Sequence, residues 1–254
     1  MLGCVPSRSP AHADRRRAEA FGLAAEDYDR YRPRYPYPLI AGLTRGRRVR
    51  ALDVGAGTGI AAVQLRRAGA DVLAVEPDPR MAAVAETHGI PVEEASFEDW
   101  QPSGRTFDLV VFAQSFHWVQ PEPALAKIEA ILRPGGCLAL LSNRIAPVRP
   151  TREEIDDAYA GYLDSSARHA IDAAHDDELI ATIEQHGYIV ERRQITERLH
   201  YTTDAWVGMV MTNSNVLTLN AGARAELRAR LADRIGTSGV HAVNDATAVI
   251  CTPA

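Results

Sequence analysis

One glycine-rich turn constrains this chain more than any other feature. The stretch Leu52-Asp53-Val54-Gly55-Ala56-Gly57-Thr58-Gly59 closes an apolar run at 49–54 and opens a helical pattern at 60–67. Glycine lets such a turn adopt backbone conformations closed to other residues and brings backbone close to a ligand. The alternation then continues. Residues 72–75, 91–93, 107–112 and 137–142 read as strands; 79–88 and 123–132 read as helices, with Pro123 suited to a first turn. Residues 133–136, Arg-Pro-Gly-Gly, read as a turn. Strands alternating with helices imply a parallel sheet covered on both faces. Ligands of such sheets bind at the carboxyl ends of the strands.

After Asn143 the pattern changes. Residues 151–163 read as a helix, with Thr151 and Glu154 as a capping box. Residues 175–186 read as another, closed by Gly187, and 223–235 as a third. Strands are expected at 188–197 and 240–250, the second with an interruption at Asn244-Asp245. The segment 201–219 is rich in aromatic and amide residues and reads as partly helical. Upstream, a helix at 18–29 is broken by the prolines of 31–38 and resumes at 39–44. The first 17 residues read as a disordered leader. The expected fold is α/β: a doubly wound, seven-stranded, mostly parallel sheet in one domain, 18–254. A helical cap is expected from insertions after the fifth and sixth strands, at about 144–185 and 199–235.

Bulk properties narrow the function. A net charge of -5 disfavours nucleic acid, which requires a basic surface to displace counterions. Cys4, Cys137 and Cys251 have no metal-ligand spacing, so no metal is expected. Their odd number and wide separation suit a reducing compartment, and Cys137 and Cys251 fall in strand-like runs as small hydrophobes. The amino terminus carries no apolar signal core, and no run approaches the roughly 18–20 residues that span a bilayer. The expectation is a cytoplasmic protein with a small-molecule partner and neither nucleic acid nor membrane.

The residues around the turn discriminate between nucleoside ligands. A dinucleotide fingerprint, G-x-G-x-x-G, requires glycine at position 60, which is Ile60. A pyrophosphate favours a helix N-terminus, and the carboxylate of Asp53 beside it would repel that anion. S-adenosylmethionine has no phosphate and carries an ammonium and a sulfonium, which Asp53 attracts. Glu76 ends the second strand, where an acid can accept both ribose hydroxyls of any adenosine ligand. The alternative for Glu76 is a simple charge at a helix N-terminus, and the loop and spacing favour the ribose role.

These residues resemble the class I S-adenosylmethionine-dependent methyltransferases, most closely the trans-aconitate methyltransferase-like group. The similarity runs from about Phe21 to the C-terminus and is strongest over 21–141. Phe21-Gly22, the run Tyr28-Asp29-Arg30-Tyr31-Arg32-Pro33 and Tyr35-Pro36 resemble the segment that closes over the cofactor in that group. Phe107-Asp108-Leu109-Val110-Val111 and Leu132-Arg133-Pro134-Gly135-Gly136 match two further family strands, and Ala113-Gln114-Ser115-Phe116-His117-Trp118 resembles the sequence after the fourth.

The resemblance implies a Rossmann-like methyltransferase fold, S-adenosyl-L-methionine as cofactor, and methyl transfer to an O, N or S atom of a small molecule. It further implies Gly55 and Gly57 against the methionine part, with Asp53 near, and Glu76 on the ribose. It sets Pro77 or Met81 over adenine and Ser96, Phe97 and Glu98 beside it. Gln114 and Ser115 would flank the transferred methyl, and Tyr28 and Arg32 belong to the closing segment. The cap matches only as a pattern, so no substrate is implied. A protein that keeps the cofactor fold but binds without methylating is the competing reading.

His117 is the candidate base or substrate-orienting residue, since imidazole titrates near neutral pH. Trp118 could form an aromatic wall, with ordinary packing as the alternative. Arg144 could clamp an acidic substrate, because guanidinium matches carboxylate geometry. Arg32 could do so too, or contact the cofactor carboxylate. Trp206, with Tyr201, Met209, Met211 and Asn213, could line a substrate cavity, though such a stripe more often packs a core.

Overall fold

The computed structural model describes residues 21–44, 46–162 and 177–254. A short 3-10 turn, Phe21–Ala24, leads into α1 (Ala25–Tyr31) and α2 (Tyr37–Thr44). The alternating part follows: β1 (Arg50–Val54), α3 (Ile60–Arg67), β2 (Asp71–Glu76), α4 (Pro79–Thr87), β3 (Val92–Glu94), β4 (Phe107–Ala113), a 3-10 turn at Phe116–Trp118, α5 (Pro121–Ile131) and β5 (Leu132–Arg149). The last part is α6 (Arg152–Asp156), α7 (Asp177–Gln185), β6 (Tyr188–Tyr201), α8 (Thr203–Met211), α9 (Ser214–Leu217), α10 (Ala221–Ile235) and β7 (Val240–Pro253).

The strands form one seven-stranded sheet in the order β3-β2-β1-β4-β5-β7-β6. β1 to β5 are mutually parallel, and β7 runs antiparallel between β5 and β6. Strand order reverses between β1 and β4, so the glycine turn after β1 stands at the topological switch point. Both faces of the parallel part are buried, which is why its strands are almost wholly apolar. Leu52, Val54, Val110, Phe112, Leu138 and Leu140 pack on one face beneath α5 and α7. Ala51, Val72, Ala74, Leu109, Val111 and Leu141 face the other, under α2 and α3.

A third apolar cluster makes the cap. Trp206, Val210, Val216, Leu227, Leu231 and Ile155 gather there from α8, α9, α10 and α6, on Val240 and Ala242 of β7. The capping box at Thr151 is present: Glu154 N–H donates to Thr151 Oγ1 at 3.3 Å, and Thr151 N–H donates to Glu154 Oε2 at 2.6 Å. The helix it opens is shorter than expected. It passes into a 3-10 turn at Asp157–Tyr159, and Gly161 follows at φ 84°.

Several boundaries differ from the sequence reading. Residues 144–149 are strand rather than the start of the cap, and so are 199–201. Arg144 pairs with Asp245, Ile145 with Asn244 and Tyr201 with Val240, so β5, β7 and β6 extend together as an antiparallel arm. Pro147 and Pro150 hid this run, because proline argues against a strand interior; the register shifts between Pro147 and Arg149. β7 is also uninterrupted at Asn244-Asp245. Its polar side chains bond laterally: Asn244 donates to Asn143 Oδ1 at 2.9 Å, and Asp245 accepts from Thr196 at 2.6 Å. The 133–136 turn is absorbed into β5, whose Leu132 pairs with Phe107 before a register shift. α5 begins at Pro121, two residues before the expected start. At the amino end the helix starts only at Ala25 and runs on to Tyr31; the expected leader and residues 18–20 lie outside the described residues, as does His175. Cys251 is buried, which pushes its thiol up to about 12, and Cys137 is half-buried.

α1 meets the cap through Gly208 of α8, which lies flat against the Tyr31 ring. A Cβ at position 208 would come within 2.7 Å of three ring carbons. We expect Gly208→Ala to destabilise the fold by roughly 1–3 kcal/mol through overpacking, read as a lower midpoint in denaturant unfolding.

Candidate active site

The ends of four strands converge on the glycine turn. Gly55, Gly57 and Gly59 all take positive φ, at 61°, 57° and 81°. The amides of Gly55 and Ala56 donate to Val75 O at 2.8 and 3.2 Å, folding the turn onto β2. A Cβ on Gly55 would lie 2.7 Å from Ser115 Cβ, so the close approach itself requires glycine. Ser115 Oγ donates to Val54 O at 2.5 Å. Beside it, Gln114 holds a φ of 57°, a conformation costing a non-glycine residue roughly 1–3 kcal/mol. Two bonds hold it there: its amide donates to Leu141 O at 2.9 Å and its side chain to Asn143 O at 3.0 Å.

Two carboxylates lie beneath this turn. Asp53 is fully buried, with the Ala62 backbone amide in the first turn of α3 as its nearby donor. Burial pushes its pKa from 3.8 up to about 7, the nearby Ala62 amide pulls it down, and Glu76 adds to the rise. Glu76 accepts the Gly57 amide at 2.7 Å and the Asp78 amide at 3.0 Å. Burial raises its pKa too, against the pull of those two amides. Asp78 caps α4 through the Arg80 amide at 2.8 Å. Pro77 is exposed, and Met81 is buried with its methyl 3.4 Å from where a Cβ on Gly57 would stand.

The segment after β3 is a tight turn. Ser96 Oγ donates to Asp99 at 2.7 Å, Glu98 is exposed, and Phe97 is buried against Trp100 and Phe112. Lys127 of α5 anchors it by donating to the carbonyls of Phe97, Glu98 and Trp100 at 2.6, 3.1 and 2.5 Å. A lysine inside a helical run gave no sequence signal for this role.

Aromatic residues roof the crevice. Phe21 sits edge-on to Tyr28 at 5.7 Å and to Trp118 at 6.3 Å, and His117 lies 4.8 Å from Trp118. Arg32 stands 4.9 Å over Tyr28 and donates to Thr212 Oγ1, Thr212 O and Asn213 Oδ1 at 2.8–2.9 Å, joining α1 to the cap. The structure thus brings together Tyr28, Asp53, Gly55, Gly57, Glu76, Met81, Gln114, Ser115 and the His117–Trp118 pair. It sets other candidates apart. Arg144 is exposed on the strand arm. Trp206, Met209 and Met211 belong to the core of the cap, with Trp206 edge-on to Tyr201 at 5.6 Å.

A buried carboxylate is costly to ionise, and a cationic partner offsets that cost. Asp53 and Glu76 are thus the two acids of this site that could hold a cationic nucleoside ligand. Residues 52–140 match the model of a methyltransferase domain. An uncharacterised methyltransferase of Mycobacterium tuberculosis (strain ATCC 25618 / H37Rv) is 31% identical over 227 residues, 85% of this chain and 84% of that protein. The chain belongs to the S-adenosylmethionine-dependent methyltransferase family. The methyl donor of that family is S-adenosylmethionine. A trans-aconitate 2-methyltransferase of Mycobacterium tuberculosis (strain ATCC 25177 / H37Ra) is 36% identical over 115 residues, 44% of this chain and 42% of that protein. Solved structures share the fold. One described as a type II methyltransferase of Anaeromyxobacter dehalogenans superposes with a TM-score of 0.58 at 21% identity, covering 87% of this chain and 97% of that one. A methyltransferase of Geobacter sulfurreducens in complex with S-adenosyl-L-homocysteine gives 0.50 at 16%, covering 90% and 96%.

Two measurements test the acid pair of this methyltransferase. Glu76→Ala should weaken S-adenosylhomocysteine binding about ten- to a hundredfold in calorimetry. The pH dependence follows from Asp53. Its raised pKa favours the folded state below the ordinary value and loses that contribution as pH climbs to about 7. An ammonium needs the ionised form, so affinity should rise with pH up to about 7, by at most about tenfold per unit. Asp53→Asn should flatten that rise.

Proposed function

We propose that this methyltransferase transfers a methyl group to an O, N or S atom of a small molecule by in-line displacement. When bound, S-adenosylmethionine supplies a methyl carbon already activated by a cationic sulfur, so the protein contributes mainly position and electrostatics. The observation that carries this reading is the fully buried Asp53 carboxylate, beside Glu76 and beneath a glycine turn. It suits an ammonium and opposes a pyrophosphate. In this reading Gly55 and Gly57 admit the methionine part, Glu76 accepts the ribose hydroxyls, and Met81 covers the base with Ser96, Phe97 and Glu98 at its edge. Gln114 and Ser115 border the methyl.

His117 is the proton acceptor for a hydroxyl or amine nucleophile: the proton passes to an imidazole nitrogen as the new bond to carbon forms. A carboxylate nucleophile needs no such transfer. Trp118 and Phe21 exclude water from this end of the crevice. Arg144 and Trp206 are secondary: an exposed arginine and a core tryptophan could meet a substrate only as the cap shifts.

The test is a screen of small acids, phenols, amines and thiols with methyl-labelled S-adenosylmethionine. Labelled product is the expected outcome, and its absence across the screen, with cofactor bound, would favour a nonmethylating binder. With the substrate so found, His117→Ala should lower turnover by about 10²–10⁴-fold for a protonated nucleophile and leave cofactor affinity unchanged. Full turnover in that variant would remove the assigned role.

A further inference from the structure

Asp29 stands on α1, outside the acid pair, yet its carboxylate reaches the glycine turn. Oδ1 accepts from Thr58 Oγ1 at 3.2 Å, and Oδ2 lies 3.0 Å from His88 Nε2. Arg34 approaches Oδ1 at 3.4 Å. Thr58 is fully buried between two glycines in the left-handed region. His88 is the C-cap of α4. One side chain thereby joins α1, the glycine turn and the end of α4.

The helix it belongs to depends on such anchors. α1 has 7 residues, too few to hold a helix in water without tertiary contacts. Its carboxyl end is tied to the cap, where Tyr31 Oη donates to Asp204 at 3.1 Å and Arg32 donates to Thr212 and Asn213. Its amino end continues into Phe21, which lies over Tyr28 and Trp118. Among the described residues, Asp29–Thr58 is the side-chain hydrogen bond that connects this roof directly to the glycine turn. Lifting the roof requires breaking it.

We propose that Asp29 is a positioning residue which, through Thr58, fastens α1 to the glycine turn and sets how long the cofactor is held. The proposal rests on the cofactor site described above, because Asp29 acts on the nucleoside only through that turn. It assigns Asp29 no contact with the reacting atoms. A hydrogen bond to a carboxylate corresponds to roughly a tenfold change in an equilibrium or a rate.

The experiment measures dissociation of radiolabelled S-adenosylhomocysteine from the full chain, chased with unlabelled ligand. Asp29→Ala and Thr58→Val should each speed release about tenfold, and the double variant should release no faster than Asp29→Ala alone. Asp29→Asn should keep a near wild-type rate, because its carboxamide oxygen still accepts from Thr58. A purely structural part for Asp29 would lower the melting temperature without this shared, non-additive rate effect or the rescue by asparagine. Unchanged release in Thr58→Val, or strictly additive effects, overturns the proposal; should Asp29→Ala not fold, Thr58→Val and Asp29→Asn decide it. Wild-type protein that fails to bind S-adenosylhomocysteine overturns the cofactor site and the proposal together, whereas tight binding with unchanged variants overturns only Asp29.

Discussion

Glu76 accepts the Gly57 amide at 2.7 Å, and that charge-assisted bond ties the end of β2 to the turn after β1. The rest of the site is arranged around it. With Gly57 held there, Gly55 presses on Ser115, and Thr58 is left facing α1. Asp53 is buried underneath, beside Glu76. Every one of these contacts depends on backbone coming close, and so on glycine at 55, 57 and 59. The turn thus encloses two acids whose burial disfavours their charged forms.

That enclosure goes with a division of labour in the fold. The parallel strands are apolar through their middles, and Asp53, Glu76, Gln114 and Asn143 collect at their carboxyl ends. The antiparallel arm of β5, β7 and β6 extends beyond that edge and gives the cap something to stand on. Two layers of polar bonding join the halves: Asn244 and Asn143 across the arm, and Arg32 from α1 to the cap. The cap side of the site is therefore bounded by elements far apart in sequence.

Much of the sheet was legible because its strands are buried on both faces. Mostly apolar segments such as 49–54 and 107–112 leave few alternatives, and the capping box at Thr151 is a local pattern with a local cause. The arm was not legible. Pro147 and Pro150 read as breakers, and Asn244-Asp245 reads as a turn until cross-strand partners for those side chains exist. Asp29 and Lys127 were missed as site residues for the same reason: each looks like an ordinary charge on a helix. Only their partners, at Thr58 and at the carbonyls after β3, give them a role.

The chain by itself determined the chemistry of the ligand. An acid before a glycine turn, and another at the end of the next strand, follow from residue order alone, because turn and strand ends are local structures. Tertiary structure decided what surrounds that ligand. Burial raised the pKa of Asp53, the antiparallel arm lengthened three strands, and the end of α1 was tied to the cap by side chains up to 181 positions apart in sequence. Those outcomes depend on desolvation and long-range packing, which no local stretch of sequence encodes.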